Sequence, residues 1–391
     1  MSESPEGKRV SWVELYLDLI YALAVGQLAH VIADDLSMDS VWIALGLFVT
    51  LWWTWIGFAV QYNREGNDAW KERLLFLVGS VPTGVAAVAI APASEGHVTA
   101  FAIAMASVRL VLAAGRFLSG DWRQALRLRI TRAYGLSATL FVVSIAIDGF
   151  WRYLLWAVAL AIESAALLTE DRAAARRMRQ ERDIRALAPA DPDDALDAHH
   201  FAERFGLFLI ILLGELVISA GETSIEGHVG TAGGWAALVA AMILAGTLWW
   251  LYFNAAVEIN LRVLELSGGS PTMARGLFAV GHMAPAFALL LIASGVGLLL
   301  GEDPPDGAYW LCSVGVGIYL IGTRVFFAVA SRANHIARVV VVIATFELGQ
   351  LNDVVSPHVY VWVVALWTIA CAALAQWHTR DVDDDLVSDY A

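Results

Sequence analysis

Runs of about 20 apolar residues, the length that carries an α-helix across the hydrocarbon core of a bilayer, recur along almost the whole chain. They fall at 12–33, 40–62, 73–92, 97–118, 130–149, 150–168, 202–222, 231–257, 274–300, 307–330, 335–352 and 356–377. Backbone amides and carbonyls find no partner in lipid, so each run must satisfy its hydrogen bonds internally as a helix. Composition agrees. With 59% hydrophobic and 16% charged residues over 391 positions and a mean hydropathy of +0.63, too little polar surface remains to clothe a soluble particle. The expected fold is an all-α, polytopic integral membrane bundle of about 12 transmembrane helices. The polar start, Met1-Ser-Glu-Ser-Pro-Glu-Gly-Lys-Arg9, lacks the apolar core of a cleaved signal, so the first span is expected to stay attached.

Charge tests the span count independently, because Lys and Arg accumulate in cytoplasmic loops. Lys8 and Arg9 precede the first span, Arg64, Lys71 and Arg73 separate the second from the third, and Arg116, Arg123, Arg127, Arg129 and Arg132 separate the fourth from the fifth. Arg172 to Arg185, then Arg262 and Arg275, Arg324, Arg332 and Arg338, and finally Arg380 continue the alternation. The intervening loops carry Asp34, Asp35, Glu95, Glu222, Glu302, Asp303 and Asp353 instead, and only Arg109 and Arg152 break the rule. The pattern predicts twelve spans with both termini in the cytoplasm. Residues 169–200 form one long polar break, read as a cytoplasmic linker, and 379–391 an acidic tail. The net charge of −13 resides largely in such loops and in that tail.

The linker divides the chain into 1–168 and 201–378, and the two parts resemble each other. Leu51-Trp-Trp-Thr-Trp-Ile-Gly-Phe-Ala-Val-Gln-Tyr-Asn63 answers Leu248-Trp-Trp-Leu-Tyr-Phe-Asn-Ala-Ala-Val-Glu-Ile-Asn260, and Arg73-Leu-Leu-Phe-Leu-Val-Gly79 answers Arg275-Gly-Leu-Phe-Ala-Val-Gly281. Glu14 pairs with Glu203, and Gly26-Gln27 with Gly214-Glu215. Six spans per copy keep both copies in one orientation, giving two parallel six-helix repeats.

Ionisable groups are costly at mid-bilayer and therefore mark function more often than they do in water. Glu14 and Asp18, four apart, share one face of the first helix and call for a cation, a proton or a basic partner. Arg73, Arg204 and Arg275 open spans at the same level, so an interhelical ion-pair network that clamps the bundle is the plain alternative. We expect an inner polar site of Glu14, Asp18 and Glu203 beside Arg204, an outer one of Gln27, His30 and Glu215, and His282 as a proton partner. Arg109 and Glu163 also lie inside spans and are expected to be paired. Trp52, Trp53 and Trp55, with Trp249 and Trp250, are read as packing residues, with a constriction or aromatic-lined cavity as the alternative.

No His-x-x-x-His, Cys pair, phosphate-binding glycine loop, nucleophile elbow or nucleic-acid module is present. No catalytic residue, metal or cofactor is therefore expected. Cys312 and Cys371 fall within spans, which argues against a disulfide framework. The partners expected are the bilayer and a small cation or proton, without nucleic acid; a homo-oligomer is compatible with the composition.

Glu14-Leu-Tyr-Leu-Asp18-Leu-Ile-Tyr-Ala-Leu-Ala-Val-Gly-Gln27-Leu-Ala-His30, the Trp-Trp-x-Trp of the second span, Ala202-Glu203-Arg204-Phe-Gly-Leu-Phe-Leu-Ile-Ile-Leu-Leu-Gly214-Glu215 and Leu248-Trp-Trp-Leu-Tyr-Phe253 together resemble the bacterial low temperature requirement A (LtrA) family. The resemblance implies a bacterial membrane protein linked to growth in the cold and brings no settled activity. A fainter similarity is to potassium channels built from two six-span repeats, whose short Phe-Ser-Asp motif would put its aspartate at Asp18; the second half has Leu207 or Phe208 there. A transporter or channel for a small solute or cation is the first expectation. A non-transporting sensor or scaffold for cold adaptation is the second, and a membrane enzyme the third.

Overall fold

The computed structural model describes residues 10–65, 69–118, 129–168, 188–189, 195–226, 232–323 and 332–379. The start of the chain, most of the 169–200 linker and nearly all of the acidic tail expected over 379–391 lie outside the described residues. Among the described residues the chain is all-helical, with no strand.

Each of the apolar windows contains helix among the described residues, although the tenth, 307–330, runs beyond them and the third, 73–92, includes a break before a short helix at Ile90–Ser94. The main helices are α1 (Trp12–Asp34), α2 (Met38–Glu65), α3 (Trp70–Val88), α4 (Thr99–Leu118), α5 (Arg129–Val143) and α6 (Phe150–Leu168). After the linker come α7 (Ala198–Glu226), α8 (Ala232–Leu266), α9 (Pro271–Leu299), α10 (Asp306–Gly322), α11 (Arg332–Glu347) and α12 (Pro357–Thr379). Among the described residues seven, namely α1, α2, α4, α7, α8, α9 and α12, are long and apolar enough to cross a membrane. By contrast α5, α10 and α11 have 15, 17 and 16 residues. The expected fifth window, 130–149, shortens because a 3-10 turn at Ser144–Ala146 and extended backbone at Ile147 end α5 early.

Burial is arranged for lipid rather than water. On α3 the exposed face carries Leu74, Leu77, Val78, Val81, Val85 and Val88, while the buried face carries Phe76, Gly79, Ser80, Thr83 and Ala86. Apolar residues outward and small or polar residues inward is the pattern of a membrane helix, whose outer surface meets acyl chains and whose inner surface packs closely.

Two compact units are present. The first comprises Met1–Val31, Asp39–Phe208 and Asn260–Val280. Within it α3 packs on α4, α4 on α5 and α5 on α6. Arg109 of α4 and Glu163 of α6 form a buried ion pair (Nε to Oε1, 2.5 Å). The same guanidinium donates to Ser137 Oγ of α5 and the Met105 carbonyl and lies 4.2 Å from the Phe141 ring centroid. One acid and one guanidinium cancel, and the hydroxyl and carbonyl add further acceptors around the guanidinium.

The second unit comprises Ile32–Met38, Leu209–Ile259 and Gly281–Ala391. The Met283–Leu299 part of α9 packs along α10, and the Ala232–Leu251 part of α8 along α12. The α9–α10 approach is backbone to backbone: a Cβ on Gly295 would stand 2.8 Å from the Cys312 amide. Glycine is therefore required at that crossing. Cys312 and Cys371 are buried free thiols.

Both α8 and α9 are interrupted by π-helical turns, Tyr252–Ala256 and Arg275–Val280. Such turns break the regular i→i−4 ladder and free carbonyls for side chains. Within the first unit the Trp52 indole donates to the Ala279 carbonyl at 2.8 Å, tying α2 to the π turn of α9.

Candidate functional site

In the first unit Glu14, Asp18, Trp55, His200 and Arg204 meet in one fully buried cluster, each with 0% exposure. Its assembly begins with α1. Ser11-Trp12-Val13-Glu14 is the S-x-x-E sequence of a capping box, in which the glutamate reaches back to the cap residue. The Ser11 amide and hydroxyl both donate to Glu14 Oε2, at 3.0 and 3.1 Å. From Glu14 the buried stripe of α1 runs through Asp18, Tyr21, Val25 and Leu28. Steps of three and four residues keep these side chains on one helix face.

The second wall is the first turn of α7, which is held before the helix begins. Asn63 of α2 clamps Asp197: its Nδ2 donates to the Asp197 carbonyl at 3.0 Å, and its Oδ1 accepts from the Asp197 amide at 3.0 Å. The Leu196 amide donates to the Gly269 carbonyl at 2.9 Å. Gly269 has φ +68°, and a Cβ there would stand 2.5 Å from the Leu196 carbonyl oxygen, so glycine is needed on both counts. Asp197 then caps α7, its Oδ1 accepting from the His200 amide at 3.0 Å.

That clamp aims the next helical turn at α1. Arg204 places Nη1 2.6 Å from Glu14 Oε1 and Nη2 2.8 Å from Asp18 Oδ1. One guanidinium thus faces two carboxylates, a geometry that its planar fork of donors permits. Trp55 of α2 donates Nε1–H to Asp18 Oδ1 at 2.7 Å, and the guanidinium carbon lies 5.7 Å from the Trp55 ring centroid. Phe205 and Phe208 of α7 pack on Trp55 at 4.8 and 4.3 Å between centroids and help exclude water.

The hydrogen-bond pattern sets the state of His200. Both polar atoms of the Asn63 amide are fixed by the Asp197 backbone, so the atom 3.0 Å from His200 Nδ1 is a nitrogen with an N–H to give. Nδ1 must therefore accept, and the ring proton sits on Nε2, 3.2 Å from Glu14 Oε2. In this tautomer His200 supplies a donor and no charge. The cluster then contains two acids and one guanidinium. Glu14 has three donors on Oε2, while its Oε1 stands 2.6 Å from Arg204 Nη1 as an ion pair outside hydrogen-bond geometry. On Asp18, Oδ1 has two donors, while Oδ2 is buried and meets no hydrogen-bond partner among the described residues.

The remaining expected site residues lie elsewhere. Glu203 is exposed and takes no part in the cluster, since adjacent helical residues differ by about 100° in direction. Gln27 is half-buried and His30 exposed, both off the buried stripe of α1. In the second unit Glu215 is 9% exposed, with Ser219 Oγ donating to its Oε1 at 3.2 Å. His282 is buried, and its Nε2 lies 2.8 Å from the hydroxyl of Tyr252 in the π turn of α8. Trp249 and Trp250 are 40% and 45% exposed, unlike Trp52 and Trp55.

Sequence reasoning missed His200, Asn63 and the donor role of Trp55. His200 falls within the stretch read as linker, three residues from Glu203, and its spacing of four from Arg204 was the available signal. Among the described residues no group of three or more His, Cys, Asp and Glu side chains is gathered for a metal. A groove of about 450 Å³ on the first unit is lined by Trp42, Gly46, Thr50, Tyr153, Trp156 and Leu160 among others and is nearly all apolar. It lies toward the opposite end of α2 from Trp55.

The sequence model described as bacterial low temperature requirement A protein (LtrA) matches residues 9–375. An uncharacterized protein of Rhizobium meliloti (strain 1021) is 26% identical over 361 residues, covering 88% of this chain and 84% of that protein. No solved structure matches. The match spans the cluster and nearly all of the helices around it, and the chain belongs to the bacterial low temperature requirement A (LtrA) family of membrane proteins.

Proposed function

We propose that this protein is a transporter or channel for a small solute or cation, with the Glu14–Asp18–Arg204 cluster as its charge-binding site. The observation that carries the proposal is the buried, unpartnered Oδ2 of Asp18 in a cluster where acids outnumber guanidinium groups. A purely structural clamp is expected to be balanced, as Arg109 and Glu163 are. An unbalanced buried cluster retains affinity for one more positive charge. In this reading the chain lies in the bacterial inner membrane as twelve spans in two parallel six-helix repeats, with both termini cytoplasmic. The alternation of basic loops and the paired Trp-Trp motifs support that arrangement. Catalysis has no part in it.

A second reading has its own support. Arg204 bridges both acids directly, which is how a non-transporting sensor or scaffold would fasten α7 to α1. The two separate in proteoliposomes that compare proton and alkali-cation flux of the wild type with Asp18→Asn and Glu215→Gln. Transport predicts flux above empty liposomes, reduced at least tenfold in Asp18→Asn. Equal flux from empty liposomes and all three folded proteins sinks it for the ions tested.

A further inference from the structure

We propose that the positive charge held by this cluster is a proton, carried by Asp18 on Oδ2. The inference rests on reading the cluster as a charge-binding site and names what it binds.

The argument is one of donors and charge. Among the described residues, the charged and titratable groups in contact with the two acids are Arg204 and His200 from α7 and the acids themselves from α1, with the indole of Trp55 from α2. His200 is held as the Nε2–H tautomer by Asn63, whose own orientation is fixed by the Asp197 backbone. It adds no charge. With both acids ionised the site would carry one negative charge in excess, at 0% exposure. Burying an uncompensated carboxylate is among the most costly arrangements in a protein, whereas a neutral carboxyl costs far less. One proton removes the excess.

Its place follows from the donor distribution. Glu14 Oε2 accepts from the Ser11 amide, the Ser11 hydroxyl and His200 Nε2. Each of these favours the anion. Glu14 Oε1 faces Arg204 at 2.6 Å, where a proton would be repelled. Asp18 Oδ1 is occupied by Arg204 and Trp55. Among the described residues, Asp18 Oδ2 is the one of the four carboxyl oxygens that meets neither a donor nor the guanidinium. A larger cation suits the place poorly. Sodium or calcium would require several converging oxygens, and no metal-holding group is gathered there among the described residues.

Infrared spectroscopy of the full chain in lipid vesicles at neutral pH tests the assignment. The wild type should show a protonated-carboxyl C=O band that shifts in heavy water and moves when the protein is made with isotope-labelled aspartate. Asp18→Asn should lose it. If Asp18→Asn does not fold, Asp18→Glu should transfer the band to the glutamate label. A folded wild type without a band that responds to the aspartate label overturns the proposal, as does a band that responds to labelled glutamate alone. Flux measured on the same vesicles separates the two claims. The band without flux keeps the proton and removes transport; flux without the band keeps transport and removes the proton.

Discussion

Trp55 and Asp18 stand 37 residues apart in sequence and 2.7 Å apart in space, with the indole N–H of α2 donating to the carboxyl of α1. The contact converts an aromatic residue that packs among Phe205 and Phe208 into a polar support for a buried acid. Trp55→Phe keeps the ring and removes the donor. A hydrogen bond to a neutral acceptor contributes about 0.5–1.5 kcal/mol and one to a charged acceptor about 1.5–3 kcal/mol. Thermal unfolding in detergent should therefore show a lower Tm for Trp55→Phe, with unchanged helix content by circular dichroism.

Arg204 is the common partner of both acids, and its loss leaves two carboxyl groups buried without a counter-charge. Breaking a buried pair from one side typically costs about 3–5 kcal/mol. Arg204→Met should accordingly express poorly or unfold early. Combining it with Glu14→Gln and Asp18→Asn should recover most of the lost stability, because no charge then remains to bury. Arg204→Lys should rescue little, since an ammonium cannot span two acceptors as the planar fork does. Chemical denaturation of the four proteins in one lipid or detergent checks the order.

The Asn63–Asp197–His200 chain predicts a spectroscopic property rather than a stability. Nitrogen NMR of histidine-labelled protein should find His200 with its proton on Nε2 and Nδ1 as acceptor. Asn63→Leu removes both the amide donor and the clamp on Asp197, and the His200 signal should then broaden or change tautomer. An unchanged signal in the variant would separate His200 from Asn63.

Gly269 offers a backbone test. Its positive φ and the 2.5 Å distance from a built Cβ to the Leu196 carbonyl oxygen disfavour any side chain. Left-handed backbone costs a non-glycine residue about 1–2 kcal/mol before the clash is counted. Gly269→Ala should lower Tm by more than Gly214→Ala, whose added Cβ would meet nothing within 4 Å. In the second unit Tyr252→Phe should be milder than either Arg204 variant, losing one hydrogen bond to His282.

Much of this was legible before any coordinates. Windows of apolar residues locate the helices because membrane spans obey a length rule that needs no tertiary information. Glu14 and Asp18 announce themselves because buried acids require an explanation, and Arg204 stands out as a charge at the edge of a span. What escaped depended on helix phase and distant pairing. Glu203 and Arg204 are neighbours, and a repeat-based alignment favoured the glutamate, yet the buried face of α7 takes the arginine. Gln27 and His30 sit on a span without belonging to its buried stripe. His200 was obscured by a linker boundary drawn where hydropathy rises, although α7 already begins at Ala198, under an Asp197 cap that hydropathy cannot register.

The anchorage of residues 196 and 197 also gives α7 a mechanical fixed point. Leu196 is tied to the glycine turn after α8 and Asp197 to α2, so the helix has no free lever arm at its start. From Asp197 to Arg204 the axis advances about 10 Å at 1.5 Å per residue. A tug on the chain ahead of Leu196 is therefore shared between two other helices before it reaches the guanidinium. Conversely, a load strong enough to open the Asn63 clamp would loosen the His200 contact and the Arg204 bridge in one event. The clamp makes the charged cluster stiff toward weak forces and abrupt in its response to strong ones.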